Sequence, residues 1–481
     1  MATTLNPARP FPGAGKYPLD TGHYDEAFAP TGVPRTPYAD VFDALARQDL
    51  VVLRERVRSD AASLGLSFGP GQAMVVDPVP RVIDAEEWEP LEAGLLQRAK
   101  ALNAFLADTY GGQRIFDAGV VPRRLLETSL GYEPRMQGLL DPAVPAATVA
   151  GLDLIRDEGG ELLVLEDNLR MPSGSSYSLG VREAVEPALE AEVQPRKLEG
   201  YVEMLGAAIR AAAPDGGSDP AAAIVSDGPE SGAWYEHRRL GRELDVPVVT
   251  MNQLEVNKGR LYYRHSRERT QIDVIYRRLD EDRLSAADGS LTGLGELLMP
   301  ALESGRLCCV NAFGTGIADD KLAHAYAERM VRFYLGEEPL LRSVPSFDLS
   351  DEMVRKEAME RLDELVLKPR DGFGGHGVTI MSRATSAQRR RAIGVLRRGP
   401  EHFIAQDTVQ LSSHPTVCGG RLRPRRVDLR PFIVSAPAGA GAMPGGLTRY
   451  ARGAGEMIVN SSRGGGCKDT WVLEVRSGGR G

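Results

Sequence analysis

Two short stretches of this chain carry side chains whose types and spacing could do chemistry together. The first is Leu162-Leu-Val-Leu-Glu166-Asp-Asn168-Leu-Arg170-Met-Pro-Ser-Gly174. If Gly159-Gly160 makes a two-residue turn, as paired glycines permit, Glu158 pairs with Glu161 and Asp153 falls opposite Glu166. Side chains alternate along a strand, so Glu166 and Asn168 share a face, and directly opposed Cβ atoms lie about 5 Å apart. Asp153, Glu166 and Asn168 then converge as three oxygen donors of the hard kind that suits Mg²⁺. Asp167 points the other way. The competing reading is a surface hairpin with scattered acids.

The second stretch is Leu365-Val-Leu-Lys368-Pro-Arg-Asp-Gly372-Phe-Gly374-Gly375-His-Gly377-Val-Thr-Ile. Lys368 ends an apolar strand, and Gly372, Gly374, Gly375 and Gly377 follow it. Glycines let backbone N–H groups approach phosphates, and the lysine supplies charge. The segment matches G-x-G-x-x-G, but Val378-Thr-Ile-Met381 reads as strand rather than helix, which is wrong for a dinucleotide fold. No Gly-Lys-Ser/Thr follows, so it is not a Walker loop, and the lysine precedes the glycines, the reverse of a protein kinase. A glycine-rich hairpin with a solvated lysine is the plain alternative. Only eight of the 58 basic residues are Lys, which makes a chance lysine here less expected. Gly-x-Ser-x-Gly and His-Glu-x-x-His motifs are absent, so hydrolase readings lack support.

These stretches need elements to hold them. Residues 1–35 are rich in Pro and Gly and read as irregular. Val41, Leu45, Leu50 and Leu53 predict a helix over Tyr38 to Leu64, and Leu91, Leu95, Leu102 and Phe105 another over Trp88 to Tyr110, stopped by Gly111-Gly112. Residues 150–168 read as a β-hairpin and Val181 to Ala213 as mostly helix, with a boundary at Gly216 to Pro220. Ala223 to Ser226, a helix from Trp234 to Leu244, and Val246 to Thr250 make a β-α-β pattern. Ile272 to Tyr276 and Leu307 to Val310 read as short strands, and Lys321 to Tyr334 as a helix. Strands are then expected at 365–368, 378–381, 403–406, 427–434 and 457–460, with 435–446 a loop that could flap over a site.

Bulk properties narrow the class. The chain has 481 residues, enough for several domains, and a net charge of −8 with an isoelectric point near 5.6, which carries no nucleic-acid footprint. Cys308, Cys309, Cys418 and Cys467 lack metal-binding spacing and are too few for a disulfide framework. With no apolar signal core or membrane-length run, a cytoplasmic location is expected.

Taken together, the chain resembles the circularly permuted ATP-grasp family often described as glutathionylspermidine-synthase-like. ATP-grasp proteins carry both stretches, normally with the phosphate loop first; here the order is inverted. The resemblance runs from about residue 20 to 475. It rests also on Trp234-Tyr-Glu236-His237, Asp273-Val-Ile-Tyr-Arg277-Arg278, Asn311-Ala-Phe-Gly-Thr-Gly-Ile-Ala-Asp-Asp-Lys321, Asp428-Leu-Arg430-Pro-Phe and Val459-Asn460-Ser-Ser-Arg463-Gly-Gly-Gly-Cys467-Lys-Asp469.

The resemblance implies an α/β and α+β architecture: a circularly permuted ATP-grasp with a pre-ATP-grasp Rossmann-like domain. The expected divisions are an irregular segment 1–37, a helical region with the metal hairpin at 38–215, the pre-ATP-grasp domain at 220–320, an N-lobe at 321–400, C-lobe strands at 401–476 and a disordered tail at 477–481. The hairpin would complete the C-lobe. By resemblance, Lys321 and Lys368 are the two nucleotide lysines, Gln406 belongs to the hinge that contacts adenine, and Arg430 and Arg449 steady the γ-phosphate and an acyl phosphate. Asp153, Glu166 and Asn168 are the Mg²⁺ ligands. Two departures stand out: Leu130-Gly-Tyr-Glu-Pro-Arg-Met136-Gln137-Gly138 replaces a Pro-Gly-Phe-x-x-Pro-Cys-His-Gly pattern, with an altered substrate pocket as the expected effect, and Arg463 and Cys467 stand where Gln and Ser are common.

The implied activity is an ATP- and Mg²⁺-dependent ligase that joins a small-molecule carboxylate to an amine, amino acids or peptides being candidates. A phosphotransferase and a non-catalytic nucleotide-binding partner subunit stay open. Glu236 and His237 are candidates to bind or deprotonate the amine, against a packed or capping histidine.

Overall fold

The computed structural model describes residues 17–69, 71–214, 220–280, 283–372, 376–457, 459 and 465–474. Among these, the largest sheet has nine strands from both ends of the chain: β1 (Val76–Ile83), β2 (Val149–Arg156), β3 (Leu162–Asn168), β15 (Ser413–Cys418), β16 (Arg421–Arg430), β17 (Phe432–Ala436), β18 (Gly439–Ala442), β19 (Leu447–Tyr450) and β20 (Gly466–Val472). The order is β1-β20-β19-β16-β2-β17-β18, with β3 on β2 and β15 on β16. β1 and β20, nearly 400 residues apart in sequence, run parallel as direct neighbours.

A parallel sheet of β4 (Ala222–Ser226), β5 (Val248–Val249), β9 (Val274–Arg278) and β10 (Cys308–Val310) follows the order β10-β9-β4-β5, with helix Trp234–Glu243 as the crossover between β4 and β5. β6 (Leu254–Asn257), β7 (Arg260–His265) and β8 (Glu268–Ile272) form an antiparallel meander beside it. An antiparallel sheet of β11 (Ser346–Asp348), β12 (Leu365–Pro369), β13 (Thr379–Ile380) and β14 (Phe403–Asp407), in the order β11-β14-β12-β13, has its own small core. Helices Glu352–Glu360 and Ser386–Arg398 cover it through Ala358 and Leu396.

Helix Ala85–Thr109 forms where expected. Asp84 caps it by accepting the Glu87 N–H at 2.9 Å, and it buries Trp88, Leu91, Leu95, Leu102, Phe105 and Leu106. Other expectations need correction. The helix expected over 38–64 is two, Ala39–Ala46 and Leu50–Ser63, because Asp49 accepts the Val51 and Val52 N–H groups and starts a new helix. The helix from Lys321 breaks at Tyr326 into Lys321–Ala325 and Ala327–Leu335. The strand expected at 427–434 is divided at Pro431, which has no N–H to give a ladder. The stretch 435–446 contains β18, paired with β17 from Ile433↔Ala442 to Ala436↔Gly439. Met457 and Val459 lie outside any strand; residues 458 and 460 fall outside the described residues, as do 374, 375, 463, 216–219 and 477–481.

The hairpin at β2–β3 reaches the expected register by a different route. The Asp157 carboxylate accepts N–H bonds from Gly159 and Glu161, and Asp157 N–H bonds the Glu161 carbonyl at 3.0 Å. Three residues therefore turn, not two, with Gly160 at φ +89°, the glycine position of such loops. The ladder starts one residue out, Arg156↔Leu162 and Leu154↔Val164. A bulge at Leu165 then adds one residue and restores Asp153↔Glu166.

Candidate active site

Asp153, Glu166, Asn168, Lys321, Lys368, Gly372, Gln406, Arg430 and Arg449 all line one cavity of about 380 Å³ between the nine-stranded sheet and the β11–β14 sheet. Gly377 is described but does not line it, and Gly374 and Gly375 lie outside the described residues.

Burial and charge organise its middle. Lys321, at the start of helix Lys321–Ala325, places its ammonium 2.9 Å from Glu166 Oε1 and also donates to the Gly372 carbonyl. Lys368 at the end of β12 is nearly fully buried and has no hydrogen bond or ion pair among the described residues. Burial lowers its pKa to about 8, helped by Lys321 and opposed by Glu166. Segment 319–321 is locked to the β12 end by the paired Asp320 and Arg370, whose Nε–Oδ1 and Nη2–Oδ2 distances are 3.0 and 2.8 Å. The two lysines are thereby brought to one place from positions 47 residues apart.

Behind the carboxylate strand, Asp167 does face away. Arg98 holds it by two bonds of 2.6 and 2.7 Å, and His324 Nδ1 lies 2.7 Å from it. Burial pushes the Asp167 carboxyl up, but the Arg98 guanidinium outweighs that and holds it well below the usual carboxylate range. Leu165, the bulge residue, offers its carbonyl to Gln406 Nε2 at 3.3 Å, and the same amide donates to Ser346 Oγ at 2.9 Å. Gln406 thus ties β14 to β3, and the chain after it, Thr408, Val409 and Leu411, continues the cavity wall.

On the sheet side, β16 and β19 set Arg430 and Arg449 around Asp153. Arg430 grips Asp153 at 2.5 and 2.8 Å; Arg449 Nη2 reaches it at 2.9 Å and also chelates Asp428 at 2.9 and 2.7 Å. Burial raises the Asp153 pKa, yet the two arginines outweigh it and depress the group strongly. Asp428 goes the other way, pushed up by burial and by Asp153 despite Arg449. In the sequence Asp428 is one residue of the Asp428-Leu-Arg430-Pro-Phe stretch. Its register with Arg449 across β16–β19 gives it a site position that no local pattern announces.

The donor set suits a hard divalent cation: two carboxylates and one side-chain amide open on the same cavity. No hydrogen bond among the described residues holds the buried Asn168 amide nitrogen; a cation would be met by the amide oxygen. Asp153 already accepts three N–H bonds, leaving about one of its four lone-pair directions. Glu166 is the less committed carboxylate, with Lys321 as its ion-pair partner.

Glu236 and His237 do other work. Glu236 accepts the Gly174 and Ser176 N–H groups at the start of helix Ser175–Leu189, together with Ser173 Oγ and Arg278 Nη2. His237 is buried between Ser226 Oγ at 2.7 Å and Arg278 Nε at 3.2 Å, and burial followed by Arg278 lowers its pKa to about 2. It is a packed neutral acceptor. Arg278 also donates to the Pro172 carbonyl, and its neighbour Arg277 to the carbonyls of Arg170 and Ala312. The parallel sheet therefore anchors the chain leaving β3. The Leu130 to Gly138 departure does not line the cavity: Glu133 caps the Leu284 and Ser285 N–H groups, and Gly131 packs against Gly316, where an added Cβ would meet the Gly316 carbonyl carbon at 2.1 Å. No helix among the described residues is long and apolar enough to cross a membrane.

Known proteins place this architecture. A family model described as circularly permuted ATP-grasp type 2 matches residues 80–451. An uncharacterized protein of Mycobacterium tuberculosis is 39% identical over 468 residues, 94% of this chain and 84% of that protein, and one of Synechocystis sp. is 37% identical over 467 residues, 94% and 97% respectively. A Frankia casuarinae protein named "Putative glutamate--cysteine ligase 2-2" is 38% identical over 93% of this chain, a match that spans 53% of that protein. A solved glutathione synthetase-like effector from Globodera pallida shares the fold, with a TM-score of 0.56 at 12% identity over 89% of this chain and 98% of that one. With the family match running through both the carboxylate strand and the lysine strand, the chain belongs to the circularly permuted ATP-grasp type 2 family.

Proposed function

We propose that this protein is an ADP-forming carboxylate–amine ligase. The observation that carries the reading is the convergence on one cavity of two lysines, an oxygen-donor strand and a pair of arginines from different sheets. Lys321 and Lys368 hold the phosphates of ATP. Glu166 and Asn168, with the remaining direction of Asp153, hold Mg²⁺, which when bound offsets phosphate charge. The apolar wall of Val366, Ile380, Val409 and Leu411 beside the Gln406 hinge takes the base.

Arg430 and Arg449 orient the substrate carboxylate and receive the charge that develops on the transferred phosphoryl oxygens. A carboxylate oxygen attacks the γ-phosphorus, the bond to the β–γ bridging oxygen breaks, and ADP leaves. The amine nitrogen then adds to the acyl carbon, phosphate departs with the C–O electron pair, and the nitrogen loses a proton. No residue here is placed as a protein nucleophile; acceleration comes from positioning and electrostatics. The name of the Frankia relative describes the same reaction class and supports the class only, since half of that protein lies outside the match.

Hydroxylamine tests this without knowledge of the amine. It converts an acyl phosphate to a hydroxamate, with release of phosphate. Pooled carboxylates with Mg-ATP and hydroxylamine should give ADP and hydroxamate in equal amounts, and Glu166→Ala should abolish both. AMP in place of ADP, or a stable phosphorylated product unaffected by hydroxylamine, would sink the proposal.

A further inference from the structure

The cavity has two apolar ends separated by its charged middle, and only one is accounted for by a nucleotide. The β12–β14 end carries Val366, Ile380 and Val409 next to the hinge. The opposite end lies beyond Arg430, whose Nη1 donates to the Ser173 carbonyl at 3.3 Å and whose backbone registers with Leu447. There the wall is Phe68, Met74, Tyr177 and Leu447. Tyr177 is buried, its hydroxyl donates to the Ser67 carbonyl at 3.1 Å, and its ring centroid lies 6.2 Å from that of Phe68. The Gly174 Cα sits close enough to Leu447 that a Cβ would lie 3.3 Å from Leu447 Cδ2. Phe68 and Met74 pack against the buried apolar cluster that holds Tyr177 and Leu447, which puts the four side chains on the arginine side of the cavity.

Two further observations bear on what fits there. Each carboxylate lining the cavity among the described residues already has a cationic partner: Asp153 and Asp428 with arginines 430 and 449, Glu166 with Lys321, and Asp407 with Arg361. A substrate ammonium at that end finds no unpaired acid. Phe68 and Met74 also precede the family-matched region, which begins at residue 80. Residues 66–69 and 71–74 are tied together by Ser67↔Ala73 and by Met74 N–H to the Leu66 carbonyl, and Gly69 N–H bonds the Gly232 carbonyl. Tyr177 and Leu447 lie inside the family-matched region, so the end is built from residues on both sides of its boundary.

Resting on the ligase reading, we infer that the carboxylate substrate bears an apolar group, aromatic or branched aliphatic, next to its carboxyl, and no cationic or acidic side chain. Phe68 and Met74 are specificity-determining residues for it. Arg430 and Arg449 take the carboxylate, and the apolar group lies against Phe68, Met74 and Tyr177. An N-blocked apolar amino acid, the chemistry of a peptide's C-terminal residue, has this form. A polyamine conjugate or a dicarboxylic amino acid does not.

The test is hydroxamate formation by the full chain with Mg-ATP and hydroxylamine, using N-acetylphenylalanine, N-acetylleucine, N-acetylglycine, N-acetylaspartate, glutamate and a spermidine-bearing carboxylate. The expected kcat/KM for the first two exceeds that for the charged compounds by about 10-fold or more, since a hydrophobic group in a fitted pocket discriminates on that scale. Phe68→Ala lowers the ratio of kcat/KM for N-acetylphenylalanine to that for N-acetylglycine about 10-fold. Phe68→Arg shifts preference toward N-acetylaspartate. Both positions are half-buried, so the substitutions leave the core intact. Hydroxamate from glutamate, or from the polyamine compound, at rates equal to or above the apolar ones overturns the inference and leaves the ligase reading standing. Hydroxamate from none of them, with Mg-ATP bound, overturns the ligase reading and this inference with it.

Discussion

Replacing Lys368 by methionine should weaken nucleotide binding and make the protein more stable. The lysine is buried, and its pKa falls from the ordinary 10.5 to about 8. A folded-state pKa below the unfolded one means that the unfolded chain binds the proton more tightly. Stability therefore carries the full penalty below pH 8 and recovers it as pH rises toward 10.5. A difference near 2.5 units corresponds to about 3 kcal/mol at pH 7, as an upper value for Lys368→Met, which keeps the volume and removes the charge. With an unfolding entropy of about 2.1 cal/mol/K per residue, that is a rise in melting temperature of roughly 3 °C. The gain should shrink toward pH 10.

Binding follows the same group. The wild-type lysine is about nine-tenths charged at pH 7 and one-tenth at pH 9, and phosphates bind the charged form. Affinity for Mg-ADP should thus fall about 10-fold between pH 7 and pH 9, with proton uptake approaching one per site at pH 9. Calorimetry in buffers of different ionisation enthalpy reads that uptake directly. In Lys368→Met, affinity should be low and flat with pH. A wild-type affinity that does not change between pH 7 and 9, or a methionine variant less stable than wild type at pH 7, would refute the reasoning.

Asp167→Asn should destabilise by about 3–5 kcal/mol in urea unfolding, because it leaves Arg98 buried without its anion. Asp167 has a depressed folded pKa, so this contribution is present above the unfolded carboxylate pKa and is lost as pH falls through the folded one; the gap between wild type and variant should close in acid. Gly131→Ala should fail to fold or melt far lower, since its Cβ meets the Gly316 backbone at 2.1 Å, whereas Gly200→Ala, with nothing within 4 Å at the start of a helix, should be neutral or slightly stabilising. His237→Gln should keep the shape of the pH–rate profile, because the wild-type imidazole is neutral at working pH; loss of one limb would restore it as a base.

The legible parts of this molecule were local. Alternation put Glu166 and Asn168 on one face and Asp167 on the other, a property of any strand. The apolar period from Trp88 to Tyr110 marked most of the longest helix, though not its start at Ala85 or the cap at Asp84. The register Asp153↔Glu166 was reached in the sequence by a two-residue turn, and in the structure by a three-residue turn and a bulge whose shifts cancel. Asp157's side-chain bonds and the Gln406 bond to the Leu165 carbonyl select that alternative, and the second comes from a strand 241 residues away.

What local pattern missed was held from a distance. β20 reads Gly-Cys-Lys-Asp-Thr-Trp-Val, too polar for a buried strand. Lys468 is nonetheless buried on Asp77, Asp469 on Arg182 and Thr470 on Thr448. β1 and β18 escaped notice because neither shows an alternating pattern, one being buried along its length and the other made of Gly and Ala. The sequence by itself determined the chemistry on offer: hard oxygen donors on a strand, a lysine before glycines, and a permuted order of both. Only the tertiary structure decided which charges neutralise one another, that Asp153 is held by Arg430 and Arg449, and that an apolar wall lines one end of the cavity. Ion pairing and burial depend on which residues meet across sheets, and that information is spread over hundreds of residues rather than held in any window of the chain.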